Sequence, residues 1–283
     1  MMLDAVLGTG VPFFKMQGCG NDFVLMDNRQ LRLSREVMAD WARAVCRKAF
    51  GVGADGMILL DHAPEGSRAD YIWHFYNADG SRAEMCGNGA RCATRLAYLL
   101  GMAPEKHVLG TDAGDIEAEV FPGSNEVRVR LTPPKNLELN IDLDLGARKV
   151  EAHFVDTGVP HTVIIEPSLE RAPVRELGAT TRFHPHFAPA GTNANFIEIV
   201  DRSHINLRTY ERGVEDETYA CGTGAVACVV VTNALGLTDN AVEVTTTGKE
   251  RLGIAIVDGQ TYLRGAAEIV FQGEFYPASI GLK

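Results

Sequence analysis

Two stretches of the sequence place a cysteine in the same unusual setting. Cys86 opens CGNGARCATRLAYLLG and Cys221 opens CGTGAVACVVVTNALG, 135 residues further on. In each copy the segment reaches Leu-Gly, at Gly101 and Gly236, fifteen residues after the cysteine. A cysteine followed by Gly-x-Gly and an apolar run is expected at a helix N-terminus, where unpaired amide N–H groups and the positive end of the helix dipole meet the sulfur. That setting lowers a thiol pKa from its ordinary ~8.5 and favours thiolate. The glycines let backbone N–H groups approach an anion closely, so the same helix start can hold a carboxylate. Two such sites, facing each other across an interdomain cleft, would place one sulfur on each side of a carbon. One thiolate could remove its proton and the opposite thiol could return one to the other face, inverting the stereocentre. A single cysteine in this position reads as a small apolar core residue. Two copies beside the same glycines point to chemistry.

The other reactive side chains read more simply. Cys92 and Cys228 fall inside the helices and suit core packing, and Cys19 in a Gly-rich loop reads as a bystander. The cysteine spacings include no CxxC pair and match no zinc site. His184-Pro185-His186 has no further ligand at metal spacing and reads as a loop, so no metal is expected. Asn77 and Asp79 in YNADGS suit an Asx or type I turn. Glu211-Arg212 suits either an ion pair or a charged grip, and His161 either a satisfied core histidine or a site residue.

The elements that must position these residues also come in two sets. HFYNADG (74–80) pairs with RTYERG (208–213), and two weaker blocks upstream of each cysteine follow in the same order. Strands are expected at FVLMD, MILLD, YIWHFY, EVRVRLT, HTVIIE, NFIEIV, INLRTY, EVTTT, LGIAIV, TYLRGA and EIVFQ. Helices are expected at 35–47 and after each CGxGA motif, with glycine stops. Pro133-Pro134 suits a linker, giving halves of 1–134 and 135–271. The uncharged run from Thr218 to Thr238 is too short in its helix-compatible part for a membrane span and reads as a buried helix. The N-terminal MMLDAVLGTGVPFFK lacks the basic region of a secretory signal, so a cytoplasmic location is expected.

Composition sets outer limits. The chain has 283 residues, 46% hydrophobic and 23% charged, as expected of a globular protein of about two domains. Its net charge of −10 argues against nucleic-acid or anionic-membrane partners, which need a basic footprint. An anionic substrate must be held by local donors. Six cysteines in a reducing compartment are not expected to form a disulfide framework.

The combined motifs resemble the diaminopimelate epimerase family, whose members use two cysteines and no pyridoxal phosphate in lysine and peptidoglycan-precursor synthesis. The matching stretches are FKMQGCGNDF (14–23), FYNADGSRAEMCGNGARC (75–92), GVPH (158–161), GTNANF (191–196) and ERGVEDETYACGTGA (211–225), in family order across most of the chain. The resemblance implies that Cys86 and Cys221 are the acid/base pair. It implies that amides at Gly87, Asn88, Gly222 and Thr223 hold the reacting carboxylate, and that Asn21 lies near the reacting amine. Asn77, Asn193, Glu211 and Arg212 match residues that recognise the distal end of the substrate, and His161 matches a histidine near the sulfurs. Two positions depart from the common pattern: Val159 and Gly56 stand where many members have Asn and Gln. The implied fold is of the α+β type, with two pseudo-symmetric domains. Each is a mostly antiparallel sheet wrapped around a central helix, with a return strand at 272–283 rejoining the first domain. The resemblance further implies a homodimer with no cofactor. A proline- or hydroxyproline-type racemase, a thiol redox protein cycling Cys86 and Cys221, and a non-catalytic binding module remain as alternatives. The polar set Arg212, Asn77 and Asn193 speaks against a compact substrate with one carboxylate. The paired cysteines speak against a mere binding module.

Overall fold

The computed structural model describes residues 9–282. Residues 1–8, part of the segment read above for a signal, and residue 283, the last of the segment expected as a return strand, lie outside the described residues. The chain forms two compact units. One runs through Val129 and resumes at Ala266, and the other spans Arg130–Gly265.

In the first unit, β1 (Val11–Gly18) and β2 (Asn21–Asp27) form a hairpin. Its turn residues Cys19 and Gly20 have φ of 55° and 77°, the positive values that match a tight turn to twisted strands. There follow α1 (Asn28–Leu31), α2 (Arg35–Cys46), β3 (Gly56–His62), β4 (Tyr71–Asn77), α3 (Gly87–Leu99), β5 (Lys106–Thr111), β6 (Gly114–Val120) and β7 (Glu126–Arg130). The parallel pairs β2–β3 and β4–β5 need crossovers, which α2 and α3 supply. The sheet curls around α3, which packs on β1, β2, β3 and β6. Met38, Trp41, Ala42 and Val45 of α2 cover the other face, against Val24, Met26, Met57 and Leu59. Because both faces are covered, Phe23–Met26 is a continuous buried run rather than an alternating one.

The second unit contains β8 (Lys135–Asp144), β9 (Lys149–Asp156), β10 (Pro160–Ile165), α4 (Val174–Arg182), β11 (Asn193–Asp201), β12 (His204–Glu211), β13 (Asp216–Thr218), α5 (Gly222–Ala234), β14 (Ala241–Thr245), β15 (Arg251–Val257) and β16 (Gln260–Ala266). Its central helix α5 packs on β9, β10, β11 and β15. The final strand, β17 (Glu268–Phe275), pairs antiparallel with β1 in the first unit.

The two units repeat one plan. From β17 through β1 to β7, successive strand pairs run antiparallel, antiparallel, parallel, antiparallel, parallel, antiparallel, antiparallel. From β8 to β16, with β13 as an extra hairpin strand on β12, the series is the same. In the first unit β17 therefore takes the place that β8 holds in the second. The central helices also end alike. Met102 N–H bonds Ala97 O at 2.8 Å and Leu237 N–H bonds Thr232 O at 2.9 Å, across Gly101 and Gly236, the geometry of a Schellman cap. This is the expected two-unit α+β architecture of sheets around central helices. Among the described residues no helix is long and apolar enough to cross a membrane. The uncharged segment is the buried α5, which starts at Gly222.

Candidate active site

Cys86 and Cys221 are the N-cap residues of α3 and α5, each with extended backbone. The first helical bonds are Ala90 N–H to Cys86 O at 2.8 Å and Ala225 N–H to Cys221 O at 2.9 Å. The amides of Gly87, Asn88 and Gly89, and of Gly222, Thr223 and Gly224, therefore have no acceptor within their own helix. In neither case does the cysteine side chain cap these amides. Each unit thus presents a sulfur beside a helix start whose first amides have no acceptor within the helix. Cys92 and Cys228 lie deeper in the same helices, fully buried. Burial pushes the Cys92 thiol up to about 12 and raises that of Cys228 as well, which keeps both neutral.

In the first unit the strand directions gather the site. The parallel β2 and β3 start, and the antiparallel β4 ends, at the same edge of the sheet. Asn21 opens β2, Gly56 opens β3 and Asn77 closes β4, from which the chain leads to α3. Asn21 Oδ1 lies 3.6 Å from Cys86 Sγ, which donates to it. Asn21 Nδ2 donates to Asp55 Oδ2 at 2.5 Å. Asn88 is buried and its Oδ1 accepts from Arg91 at 3.0 Å. Asn77 is exposed, and its side chain donates to Ser81 Oγ at 3.0 Å. Asp79 closes that turn by accepting from the Ser81 amide at 2.8 Å and its hydroxyl at 2.6 Å. Hydrogen bonds from Ser81 hold the Asp79 carboxyl below its ordinary range.

The second unit builds its site at the corresponding strand ends, with His161 near the start of β10, Asn193 opening β11 and Glu211 closing β12. His161 is fully buried, and its Nε2 is 3.0 Å from Thr223 Oγ1. Thr223 Oγ1 is in turn 3.5 Å from Cys221 Sγ. Burial, with the Arg212 charge adding to it, pushes the imidazole down to about 3, so it is neutral. Asn193 accepts from the Arg212 N–H at 2.8 Å and donates to Pro160 O at 2.9 Å, so it fixes backbone with both ends of its amide. Arg212 Nη1 reaches Ala190 O at 3.3 Å. Burial raises the Glu211 carboxyl pKa.

Three residues at these sites escape sequence reasoning. Asp55 orients Asn21. Asn195 is fully buried and links to His161, its Nδ2 lying 3.1 Å from Nδ1. Arg91, also fully buried, donates to Ala266 O, Gly87 O, Asn88 Oδ1 and Cys19 Sγ at 3.0–3.2 Å. Cys19 is thereby tied to the helix start. Asn195 sits inside the GTNANF stretch, the one sequence signal that could have singled it out. His184 caps a 3-10 turn over Pro185–Phe187 that contains His186, whose Nε2 lies 3.4 Å from Glu138 Oε2.

With this geometry in place, comparison with known proteins is specific. The sequence profile of the family described as diaminopimelate epimerase matches residues 13–137 and 153–270. A diaminopimelate epimerase of Aquifex aeolicus (strain VF5) is 44% identical over 270 residues, covering 92% of this chain and 96% of that protein. One from Hydrogenobaculum sp. (strain Y04AAS1) is 42% identical over 268 residues, with 92% and 96% covered. Among solved structures, a Bacillus anthracis phenazine biosynthesis protein of the PhzF family superposes with a TM-score of 0.67 at 14% identity, over 94% of this chain and 99% of that one. A hydroxyproline epimerase from Agrobacterium vitis, with bound trans-4-OH-L-proline, gives 0.66 at 14% identity, over 97% and 95%. The solved structures establish the shared fold, and the matches in sequence go further: the chain belongs to the diaminopimelate epimerase family.

Proposed function

We propose that the protein interconverts LL- and meso-diaminopimelate by two-base chemistry at Cys86 and Cys221, with neither pyridoxal phosphate nor metal. The observation that carries this reading is the repeated cysteine N-cap, which joins a sulfur and an anion-binding helix start in each unit. One cysteine, as thiolate, takes the α-proton and becomes a thiol. The other, as thiol, gives its proton to the opposite face of the carbanion and becomes a thiolate. The amides of Gly87, Asn88, Gly222 and Thr223 hold the α-carboxylate and stabilise the charge that builds on it as the proton leaves.

Asn21 lies near the reacting amine in this reading. Arg212, Glu211, Asn77 and Asn193 shape recognition of the distal ammonium and carboxylate. Arg212 supplies the planar fork that a carboxylate fits. Glu211 suits the ammonium, and a bound cation would offset the burial that raises its pKa. Asn193 acts through the backbone it fixes at Arg212 and Pro160. We read the two units as the two halves of the family fold, and the working form as a cytoplasmic homodimer, both supported by the family resemblance. Reduced protein freed of metal and pyridoxal, incubated in D₂O with LL-diaminopimelate, should incorporate deuterium at the α-carbon and form the meso isomer. Absence of exchange overturns the assignment. Loss of exchange on adding a chelator, with thiols still reduced, overturns the thiol-only mechanism.

A further inference from the structure

We infer that Arg182 and Glu215 form a clamp that holds Arg212 in place, and so help set how tightly the protein binds a substrate with a second carboxylate. On the reading that Arg212 meets the distal carboxylate, these two are positioning residues, acting through Arg212 rather than touching substrate.

Arg212 opens the short connection between β12 and β13, which pair antiparallel from Glu211 and Asp216 onward. Two residues of this connection have left-handed φ, 94° at Gly213 and 59° at Glu215. Glycine adopts that region at no steric cost, and a glutamate does not. Glu215 keeps it because its surroundings hold all three of its polar groups. Its N–H donates to Glu211 O at 2.8 Å, and its carbonyl accepts from the Tyr210 hydroxyl at 2.9 Å. Its Oε1 accepts from Gly213 N–H at 3.0 Å and from Arg182 Nε at 3.1 Å.

Arg182 ends α4 and is itself held. Its guanidinium lies over the Phe183 ring, 4.6 Å from the centroid, and its Nη1 donates to Ala190 O at 3.4 Å. A Cβ on Gly191 would collide with that guanidinium, so the close passage of the chain there requires glycine. Arg212 comes to the same oxygen, its Nη1 3.3 Å from Ala190 O. Two guanidiniums at one carbonyl repel each other, and the Glu215 carboxylate beside Arg182 offsets one of the two charges. Arg182 is thereby spent on Glu215. Among the described residues Arg212 forms no ion pair. Its backbone is fixed by the bond from its N–H to Asn193 Oδ1 at 2.8 Å. Arg212 therefore keeps its charge and several N–H donors for an anion from outside the protein.

The Glu215 side chain is 37% exposed and that of Arg182 14%. Solvent screens a pair so placed, so it contributes orientation more than binding energy, and its loss changes an equilibrium only a few-fold. The distal carboxylate takes no part in bond making. Weakening its contact removes binding shared by ground and transition states, which raises KM and leaves kcat.

Initial rates of meso-diaminopimelate formation from LL-diaminopimelate, with the full-length reduced protein, test the clamp. Arg182→Met and Glu215→Gly should each raise KM roughly fivefold and keep kcat within about twofold of the parent. Glycine accepts the left-handed backbone of Glu215, so that variant removes the carboxylate without straining the turn. Glu215→Gln supplies an oxygen that still accepts from Gly213 and Arg182, and should keep KM within about twofold of the parent. Unchanged KM in both Arg182→Met and Glu215→Gly overturns the clamp. So does a fall in kcat matched by a fall in melting temperature, the result expected when a contact serves only the fold. A KM for Glu215→Gln as high as that for Glu215→Gly removes the two hydrogen bonds as the cause, and the clamp with them. Turnover in the parent with KM unmoved in the variants sinks the clamp alone. A parent protein without turnover sinks the functional reading, and the clamp falls with it.

Discussion

Gly56 opens β3 with no space beside it. A Cβ there would stand 2.8 Å from the Phe75 ring and 2.9 Å from the Tyr76 carbonyl oxygen. The family resemblance implies glutamine at this position in many members, so the glycine could be taken for a missing polar group. The packing gives it a reason within this chain. Gly56→Gln is expected to destabilise the first unit by about 1–3 kcal/mol, the usual result of overfilling a packed site. Urea unfolding measures it, and a variant as stable as the parent would show that the Phe75 ring yields. The residues legible from sequence were those whose type is chemically unusual in its setting, above all Cys86 and Cys221. His161 suits either core or site by its sequence setting; it is fully buried and reaches Cys221 through Thr223. Asp55 and Asn195 stayed hidden because nothing in a carboxylate or an amide announces which partner it orients. That depends on register, which sets Asn195 beside Val163 and, across the other edge, beside Thr209.

The central helices differ most where the first helix carries a charge. Arg91 in α3 is fully buried, while the position 135 residues on holds Val226. The guanidinium ties four places together: Gly87 and Asn88 in the helix start, Cys19 in the β1–β2 turn, and Ala266 ahead of β17. Arg91→Met keeps the bulk and removes the donors. Each buried oxygen left without a partner costs ~1–3 kcal/mol. The variant should lower the urea midpoint by several times more than a surface Arg→Met change, such as Arg68→Met. Equal midpoints would mean that water replaces the guanidinium. Element by element, secondary structure is legible in the sequence where apolar runs are dense. Every strand it expected is present, as are the helix from Arg35 and the two that follow the cysteines. It passed over β1, β5, β6, β8, β9, β13, α1 and α4. β8, KNLELNIDLD, is largely exposed, so its alternation lacks the buried face that makes a strand conspicuous. α4, VRELGATTR, holds a glycine and two threonines, all weak helix formers. Packing rescues it, since Gly178 is close enough to Tyr210 that a Cβ would come within 2.4 Å of the Tyr210 Cβ.

At the scale of the whole molecule, the proposed two-base mechanism rests on the duplicated plan. The protein is net acidic, at −10, so an anionic substrate gains nothing from the overall field. Attraction must come from the local donors at the two helix starts, and the two units supply one start and one sulfur each. If Cys86 and Cys221 serve opposite faces, removing either blocks inversion but leaves proton removal at the other face intact. Serine keeps size and hydrogen bonding but is not ionised near neutral pH, so each Cys→Ser variant should epimerise very slowly. Elimination from a β-halo analogue needs only one proton abstraction, with halide leaving as the electron pair forms the double bond. Cys86→Ser should therefore eliminate from one α-epimer and Cys221→Ser from the other. Removing a residue that only packs the helix start would instead depress both epimers together and lower the melting temperature in parallel. Elimination rates for both epimers, with thermal melts on each variant, separate the two outcomes. Folded variants with the same stereochemical preference would sink the assignment of one face to each unit. Opposite preferences would show that the repeat, whose copies share strand pairing, helix placement and helix caps, differs in the one respect that inversion requires: the face from which each copy's sulfur reaches the carbon.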